Sequence, residues 1–178
     1  MIQTERLILR PWREDDVAEF ARVTNTPAVM EFLGGVRDPE EFRGSYARVT
    51  ASQEKDGFSF WIVERRSDGA LLGFCGLKIG NTPRIEGEIE IGWRLREDAW
   101  GQGYAREAAT ATLEWAWQNL SCARVVAITA VGNGRSWGLM ERLGMRRLHA
   151  LDFEHPDLPT GDKAKPHITY AIDRPGSR

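Results

Sequence analysis

Short runs of apolar residues, either alternating with polar residues or nearly continuous, predict β-strands along much of the chain. These runs are rich in β-branched and aromatic residues, and they cover residues 6–10, 58–64, 71–77, 88–95, 124–131, 145–153 and 167–172. A turn-rich connection, Ser67-Asp68-Gly69-Ala70, joins the second run to the third and predicts a hairpin with antiparallel strands. The run at 124–131 is almost continuously apolar, which is typical of a central strand.

The alternation in the fourth run, 88–95, groups acidic residues on one side of the predicted strand. Glu88 and Glu90 fall on one face. Ile89 and Ile91 fall on the other face. Gly92 interrupts the alternation, and a glycine inside a strand commonly marks a bulge or a close backbone approach. We therefore expect a bulge at this point that directs backbone amides out of the sheet.

Helical spacing of apolar residues predicts four helices, which cover residues 15–24, 38–57, 103–120 and 133–143. The first can begin at Asp15 or Asp16 and should end before Pro27. The second has a stronger start signal, Asp38-Pro39-Glu40-Glu41, with an acidic cap, proline at the first helical position and glutamate three residues after the cap. Gly144 follows the fourth segment and predicts a left-handed cap at its end.

The order and type of these elements predict an α+β protein. We expect one domain over residues 1–178, because no repeat, low-complexity tract or linker interrupts the chain. The expected architecture is a mixed, mostly antiparallel central sheet of about six or seven strands with helices on both faces.

Composition and charge narrow the range of functions. The chain is 42% apolar and 28% charged with a net charge of -2, which is typical of a globular protein. Its basic residues are spread along the sequence, so nucleic acid is not an expected partner. No segment reaches the ~20 apolar residues of a membrane span, and the first ten residues contain no apolar core of a signal peptide. We therefore expect a cytoplasmic protein without a membrane partner.

Cysteine and histidine spacing gives no indication of a metal site. Cys75 and Cys122 form neither a disulfide framework nor a metal-ligand motif, which fits a reducing compartment. Cys75 lies within an apolar strand and is expected to be a buried, unreactive thiol. His149 and His167 fall in predicted strands, where structural roles are expected. His155 falls in the long polar loop 154–166 and is a candidate substrate contact, although anchoring of that loop is the alternative.

A glycine-containing turn, Gly101 to Arg106, joins a predicted strand to an alanine-rich predicted helix. Backbone N–H groups at such a helix start can bind phosphate. A tight turn without a ligand is the alternative. The P-loop pattern for ATP is absent, and Arg106 occupies the place of the last glycine in the dinucleotide fingerprint. Neither ATP nor NAD is therefore supported.

Several motifs together resemble the GNAT superfamily of N-acetyltransferases, and within it the branch of ribosomal-protein alanine acetyltransferases. They are the opening strand 4–11, Glu90-Ile91-Gly92-Trp93, Gly101-Gln102-Gly103-Tyr104-Ala105, Asn133-Gly134-Arg135-Ser136 and Leu143-Gly144-Met145. The resemblance covers nearly the full length. It implies a sheet in which two neighbouring parallel strands splay apart, and a single cytosolic domain that uses acetyl-coenzyme A as co-substrate without a metal.

The resemblance also implies where acetyl-coenzyme A binds. Pantetheine should bond to the backbone of Trp93 and Leu95, and Asn133 should cap a helix and contact pantetheine. The pyrophosphate should bind the backbone amides of Gly101, Gln102, Gly103, Tyr104, Ala105 and Arg106. One residue departs from the family pattern here: Trp100 stands where the family has Gln or Arg, and we expect altered packing rather than lost affinity.

Candidate catalytic residues follow from the chemistry of acetyl transfer. The attacking amine must lose a proton, and a carboxylate can accept it. Glu90 is the first candidate because the branch has glutamate at this position, and Glu88 is a substitute on the same face. Solvated surface charges are the alternative for both. Backbone amides near Trp93 would polarise the thioester carbonyl.

The residue that protonates the leaving thiolate differs from that of many relatives. Many relatives have a tyrosine in the last helix, whereas Met140 occupies that position here. Ser136 is the best replacement, because the branch places this serine near the coenzyme A sulfur; capping of the helix is the alternative. The expected function is acetyl transfer from acetyl-coenzyme A to a primary amine by direct attack, in a monomer or homodimer. A non-catalytic acyl-coenzyme A-binding module is the alternative.

Overall fold

The computed structural model describes residues 1–38 and 40–176. Strands that belong to one sheet lie at β1 Ile2–Gln3, β2 Leu7–Arg10, β3 Phe60–Arg65, β4 Leu71–Ile79, β5 Ile89–Leu95, β6 Arg124–Ala130, β7 Arg146–Arg147, β8 Phe153–Glu154 and β9 Pro166–Asp173. The α-helices lie at α1 Asp16–Thr24, α2 Pro27–Met30, α3 Glu40–Asp56, α4 Tyr104–Asn119 and α5 Gly134–Arg142.

The strands are ordered β1-β2-β3-β4-β5-β6-β9-β7, with β8 paired to β9. Every neighbouring pair is antiparallel except β5 and β6, which are parallel. The predicted α+β class and the mostly antiparallel sheet with one parallel pair are therefore confirmed. The predicted hairpin is formed by β3 and β4.

The sheet has nine strands rather than the expected six or seven. One additional strand is the two-residue β1, and another arises because the predicted strand 145–153 is divided into β7 and β8 by a 3-10 turn at His149–Leu151. Side chains replace the missing ladder bonds at this interruption. Thr169 donates its hydroxyl to the Leu151 carbonyl at 2.9 Å, and its N–H donates to the Asp152 carboxylate at 3.2 Å.

The expected bulge at Gly92 is wrong. Strand β5 keeps an unbroken register with β4, from Ile89 opposite Ile79 to Leu95 opposite Gly73. The reason for the glycine is space, since a Cβ on Gly92 would come within 3.1 Å of the ring of Phe60.

The helix boundaries match the sequence predictions except near Pro27. Rather than only ending α1, Pro27 is the first residue of α2, and the Thr26 hydroxyl accepts a hydrogen bond from Val29 N–H at 3.3 Å. The start signal of α3 is supported by a hydrogen bond from Glu40 N–H to the Asp38 carboxylate at 2.9 Å. Pro39, the expected first helical residue, lies outside the described residues. Gly144 has the predicted left-handed conformation, with φ of 82°.

Helices cover both faces of the sheet, as predicted. The larger cluster of buried side chains packs α4 against one face and includes Leu77, Ile91, Ala109 and Leu113. Helices α1 and α3 pack against the other face through a cluster of six buried residues, Trp12, Phe20, Val23, Phe42, Ile62 and Leu71. Successive side chains of a strand point to opposite faces, so β5 presents Ile91 to α4 and its even-numbered residues to the α1 side.

Candidate active site

Strands β5 and β6 form a gap in the middle of the sheet. Their parallel pairing extends only over Ile89 with Val125 and Glu90 with Val126, although both strands continue beyond these residues. Parallel strands that run on without pairing must separate, and the separation exposes backbone groups on both inner edges.

The direction of the backbone groups on β5 follows from its last contact with β4. Arg96 N–H donates to the Leu72 carbonyl at 2.7 Å, so the backbone of Arg96 faces β4. Backbone groups of an antiparallel strand alternate in direction, so those of Trp93 and Leu95 face the gap. The Leu95 carbonyl confirms this direction, because it accepts a hydrogen bond from the indole N–H of Trp100 at 2.9 Å.

The facing edge of β6 is assigned in the same way. Val131 N–H donates to the Pro166 carbonyl at 2.9 Å, so the backbone of Val131 faces β9. Alternation then turns the backbone of Ile128 and Ala130 toward the gap. The gap is therefore lined by main-chain donors and acceptors of both strands.

A tight turn connects the β5 side of the gap to α4. Gly101 and Gly103 have φ of 74° and 81°, a left-handed conformation that favours glycine. Within residues 1–38 and 40–176, no backbone or side-chain acceptor is bonded to any of the six N–H groups from Gly101 to Arg106. Successive unpaired N–H groups at a helix start form a site for an anion.

The turn is held in place by the N-terminal part of the chain. Arg6 donates to the Gln102 carbonyl at 3.0 Å and forms an ion pair with Glu107 at 2.7 Å. The side chain of Gln102 donates to the Asp98 carbonyl at 2.7 Å. These contacts fix the turn without using its N–H groups.

Trp100 fills the position that departs from the family pattern. Besides its bond to Leu95, its indole is stacked by the guanidinium of Arg135, which lies 4.5 Å from the ring centroid. Arg135 belongs to the first turn of α5, so Trp100 connects the glycine turn to the end of the gap on the β6 side. This contact accounts for the tryptophan by packing, as expected.

Glu90 is a buried carboxylate with only 6% of its surface exposed. The ammonium of Lys78, directly opposite on β4, lies 3.1 Å from its Oε2, although not in the direction of a hydrogen bond. Burial raises the pKa of Glu90, and the charge of Lys78 partly opposes this rise. Glu90 is also the last residue of β5 that pairs with β6, so it lies where the gap begins.

Glu88 has a different environment from Glu90, although the two fall on the same side. It is only partly buried, and both of its carboxylate oxygens accept hydrogen bonds from the guanidinium of Arg124 on β6. Arg124 therefore binds and neutralises the carboxylate of Glu88, which was the candidate substitute base.

The start of α5 contains the other two candidates. The Asn133 side chain accepts a hydrogen bond from Ser136 N–H at 3.3 Å, so Asn133 caps the helix as predicted. The Ser136 residue is partly exposed, and its hydroxyl has no hydrogen-bond partner among the described residues. Met140 is 1% exposed and lies in the core cluster shared with α4, so no hydroxyl occupies the place of the family's tyrosine.

His155 is held within an aromatic group. Its Nδ1 accepts a hydrogen bond from Asp157 N–H at 3.3 Å, and its ring centroid lies 4.8 Å from that of His167. Burial lowers the pKa of His155, the carboxylate of Asp157 opposes this, and the charge of Lys78 adds to the lowering. His155 is therefore anchored in its loop and also lies within electrostatic range of Lys78.

Comparison with known families now decides the class of protein. A family model described as the acetyltransferase (GNAT) domain matches residues 6–146. The chain belongs to the GNAT acetyltransferase family. Members of this family use acetyl-coenzyme A.

Individual proteins and solved structures are similar to this chain over most of its length. The Bacillus subtilis (strain 168) protein YkkB is 32% identical over 145 residues, which cover 80% of this chain and 83% of that protein. The crystal structure of a GNAT-family acetyltransferase from Bacillus anthracis has 26% identity and a TM-score of 0.78, covering 97% of this chain and 98% of that one. The ribosomal L7/L12 alpha-N-protein acetyltransferase RimL in complex with coenzyme A has a TM-score of 0.73 at 17% identity, over 96% and 95% of the two chains, which shows a shared fold only.

The remaining sites considered from the sequence are also described by the structure. Cys75 is completely buried, and burial raises the pKa of its thiol to about 12, which confirms the predicted unreactive thiol. In the part of the chain that the structure describes, no cluster of three His, Cys, Asp or Glu side chains has the arrangement of a metal site. None of the described helices is both long and apolar enough to span a bilayer.

Sequence analysis missed three contacts of this GNAT site. They are the Lys78–Glu90 pair, the Trp100–Arg135 stack and the contact of the partly buried Arg94 on β5 with the ring of Phe74. Each depends on strand register or helix placement, which residue spacing along the chain does not contain. The alternation in 88–95 does place Arg94 on the face of Glu90, and this was the available signal.

Proposed function

We propose that this GNAT protein is an N-acetyltransferase that moves the acetyl group of acetyl-coenzyme A to a primary amine by direct attack. The observation that carries the proposal is the gap between β5 and β6, which leads into six unpaired N–H groups at the start of α4. A chain with that arrangement can hold an extended pantetheine arm by its main chain and a pyrophosphate at the helix start.

The residues proposed to hold acetyl-coenzyme A divide into two sets. Trp93 offers both backbone groups to pantetheine, whereas Leu95 offers only its N–H, because its carbonyl already accepts from Trp100. Asn133 lies at the opposite side of the gap. The pyrophosphate set is Gly101, Gln102, Gly103, Tyr104, Ala105 and Arg106.

Glu90 is the proposed base. Because burial raises its pKa, its carboxylate holds a proton more strongly than an exposed glutamate and is better suited to accept one from an ammonium group. Glu88 is the weaker candidate, since Arg124 neutralises it. Unpaired N–H groups of β5 at the gap would stabilise the negative charge that develops on the thioester oxygen, without a bulge.

Ser136 is the proposed donor to the departing thiolate. Its hydroxyl has no partner among residues 1–38 and 40–176, so it is free to donate. His155 is the proposed acceptor-binding residue, in an anchored loop within electrostatic range of Lys78. The proposed acceptor is a protein N-terminus or a small amine. The proposed location is the cytoplasm, and the proposed oligomeric state is a monomer or homodimer.

The experiment is a thioester assay. Release of free thiol from acetyl-coenzyme A is followed with a panel of small amines and N-terminal peptides, and the products are identified by mass spectrometry. Acetylated product that depends on both substrates supports the proposal. Tight binding of coenzyme A without turnover for any amine would instead favour the alternative, a non-catalytic acyl-coenzyme A-binding module, for which Met140 in place of tyrosine is the supporting observation.

A further inference from the structure

Arg94 is a partly buried cation that none of the interactions described above uses. Its Nε is enclosed and has no hydrogen-bond partner, and among residues 1–38 and 40–176 no carboxylate forms an ion pair with its guanidinium. The contacts that it makes are with aromatic rings, at 5.5 Å from the centroid of Phe74 and 5.8 Å from that of Phe20. An unpaired charge in such surroundings is costly, so its presence calls for a partner outside the chain.

The neighbouring charge is of the same sign. Arg37 lies close enough that its charge affects Arg94, and it also lacks an ion pair within the described residues. Burial, together with the smaller effect of the Arg37 charge, lowers the pKa of Arg94 to about 10. Arg94 nevertheless remains mostly protonated at neutral pH. An arginine that has no carboxylate partner, with a second cation in electrostatic range, can bind an anion.

Arg94 lies on the same face of β5 as the proposed base. The cross-strand pairs Lys78–Glu90, Gly76–Gly92 and Phe74–Arg94 follow one another along β4 and β5 at intervals of two residues, so their side chains share one face. Along the strand, the Cα atoms of Glu90 and Arg94 are separated by about 13 Å.

The surface between these two residues is aromatic and accessible. Phe60 lies against Gly92, and its ring stacks on that of Phe74 at 4.6 Å between centroids. Phe60, Phe74 and Arg94 are each only partly buried, so the rings form a floor open to a ligand rather than a sealed core.

We propose that Arg94, assisted by Arg37, binds an acidic group of the acetyl acceptor, so that the preferred acceptors are amines that also carry a carboxylate or phosphate. The amine lies toward Glu90 and the acidic group toward Arg94, with Phe60 and Phe74 beneath the atoms that connect them. This inference rests on the proposed acetyltransferase function for its turnover test. Binding of the acidic group can be tested separately.

The turnover test compares amines that differ only in the acidic group. The two pairs are glycylglycine with glycylglycinamide, and phosphoethanolamine with ethanolamine, each with acetyl-coenzyme A. We expect kcat/KM to favour the acidic member of at least one pair by about tenfold or more, as expected for a hydrogen bond to a charged group. The pair with the larger ratio identifies carboxylate or phosphate as the group bound. In Arg94→Met the ratio should fall to near unity, and in Arg37→Met it should fall in part.

The matched control is Arg146→Met. Arg146 is exposed on β7 and is paired with Asp173 at 2.7 Å, so its loss should leave the acid preference unchanged. Because Arg94 is an unpaired cation, Arg94→Met should fold and keep or raise the unfolding temperature. A wild-type protein that prefers the neutral member of both pairs, or an Arg94→Met protein that keeps the preference, would overturn the inference.

The binding test needs no turnover. N-acetylglycylglycine and its amide have no reactive amine, and N-acetylphosphoethanolamine serves as the phosphate probe. Their protection against thermal unfolding is measured in the presence of coenzyme A, and an acidic probe should protect the wild type but not Arg94→Met. Protection without turnover of any amine would contradict the proposed function and leave the anion site intact. Equal effects of acidic and neutral probes would overturn the anion site.

Discussion

The carboxylate of Glu90 and the ammonium of Lys78 lie 3.1 Å apart on adjacent strands, at the point where β5 and β6 separate. Burial favours the neutral form of Glu90, whereas Lys78 favours its charged form. The balance keeps a carboxylate available as base while holding its pKa above that of an exposed glutamate.

Replacing the base should remove one limb of the pH profile. In Glu90→Gln, we expect turnover to fall by about 10²–10⁴-fold, the range for one proton-transfer group. The wild-type rate should decrease as the pH falls through the raised pKa of Glu90, because only the deprotonated carboxylate accepts a proton. Glu90→Gln should lack this acidic limb. Glu88→Gln is the comparison and should have a smaller effect, and equal losses in both variants would contradict the assignment.

Removing the positive charge of Lys78 should shift the acidic limb of the pH–rate profile. Lys78 lowers the pKa of Glu90, so Lys78→Met should raise this pKa and shift the acidic limb to higher pH. The rate at high pH should recover toward that of the wild type, which a structural defect would not produce. Lys55→Met, an exposed position on α3, is the control. An unshifted limb would show that Lys78 has no part in tuning the base.

The glycine turn should be required for binding of acetyl-coenzyme A. Gly103 has φ of 81°, a conformation in which a β-branched residue costs roughly 1–3 kcal/mol, so Gly103→Val should redirect the N–H groups of the turn. We expect calorimetry to show loss of acetyl-coenzyme A binding with the fold retained. Gly69→Val has a similar strain at φ of 70° in the β3–β4 turn and should lose stability without losing binding. Equal affinity of Gly103→Val and wild type would exclude the turn as the pyrophosphate site.

A buried ion pair at the edge of the sheet should contribute to stability. The Arg10 guanidinium donates to both oxygens of Asp16, at 2.7 and 2.8 Å. Asp16→Asn removes the two-oxygen partner of Arg10, which keeps only the Glu64 carboxylate at 2.8 Å, so we expect a decrease of about 1–3 kcal/mol in the free energy of unfolding. Glu19→Gln, which breaks the exposed pair with Arg22, should change it by less than about 1 kcal/mol. Chemical denaturation measures both values.

The Arg10–Asp16 pair should also make the stability of the protein depend on pH in acid. Burial alone would raise the pKa of Asp16, but hydrogen bonds from Arg10 and from Arg13 N–H outweigh burial and lower it. A carboxylate with a lowered pKa in the folded state contributes stability above its ordinary pKa, and this contribution is lost as the pH falls through the lowered value. The wild type should therefore lose more stability than Asp16→Asn between about pH 5 and pH 2. If the wild type and Asp16→Asn lose the same unfolding free energy as the pH falls, the Asp16 carboxylate does not contribute to acid sensitivity.

The sequence predicted those features that depend on neighbouring residues. The capping of α5 by Asn133, the left-handed Gly144 and the glycine turn at 101–103 are local, and the order of strands and helices followed from periodicity. The family, and the gap between two parallel strands that it implies, were predicted from several motifs taken together. The α2 helix was missed because proline both ends one helix and begins the next.

Features that depend on register or on distant packing could not be read from spacing. Lys78 precedes Glu90 by twelve residues and meets it only because β4 and β5 pair in that register. The Gly92 bulge was expected because glycine commonly relieves a strand, whereas here it leaves room for the ring of Phe60, from a strand two positions away in the sheet. Arg94 and Arg37 lie far apart in sequence, and only the packing of α1 and the segment after α2 brings them together.

The proton that the thiolate needs should come from Ser136. The hydroxyl is partly exposed at the first turn of α5, has no partner among the described residues, and follows the Asn133 cap at the side of the gap formed by β6. A thiol has a pKa near 8.5, so a thiolate is a good leaving group and loss of its acid should cost less than loss of the base. Ser136→Ala should lower kcat by up to about 10²-fold while the affinity for acetyl-coenzyme A stays nearly constant. Ser136→Thr keeps the hydroxyl and should retain more activity than Ser136→Ala, which separates proton donation from helix capping, since Asn133 provides the cap in both variants. Equal rates in wild type and Ser136→Ala, or a crystal structure with coenzyme A in which the Ser136 hydroxyl is turned away from the sulfur, would contradict this role.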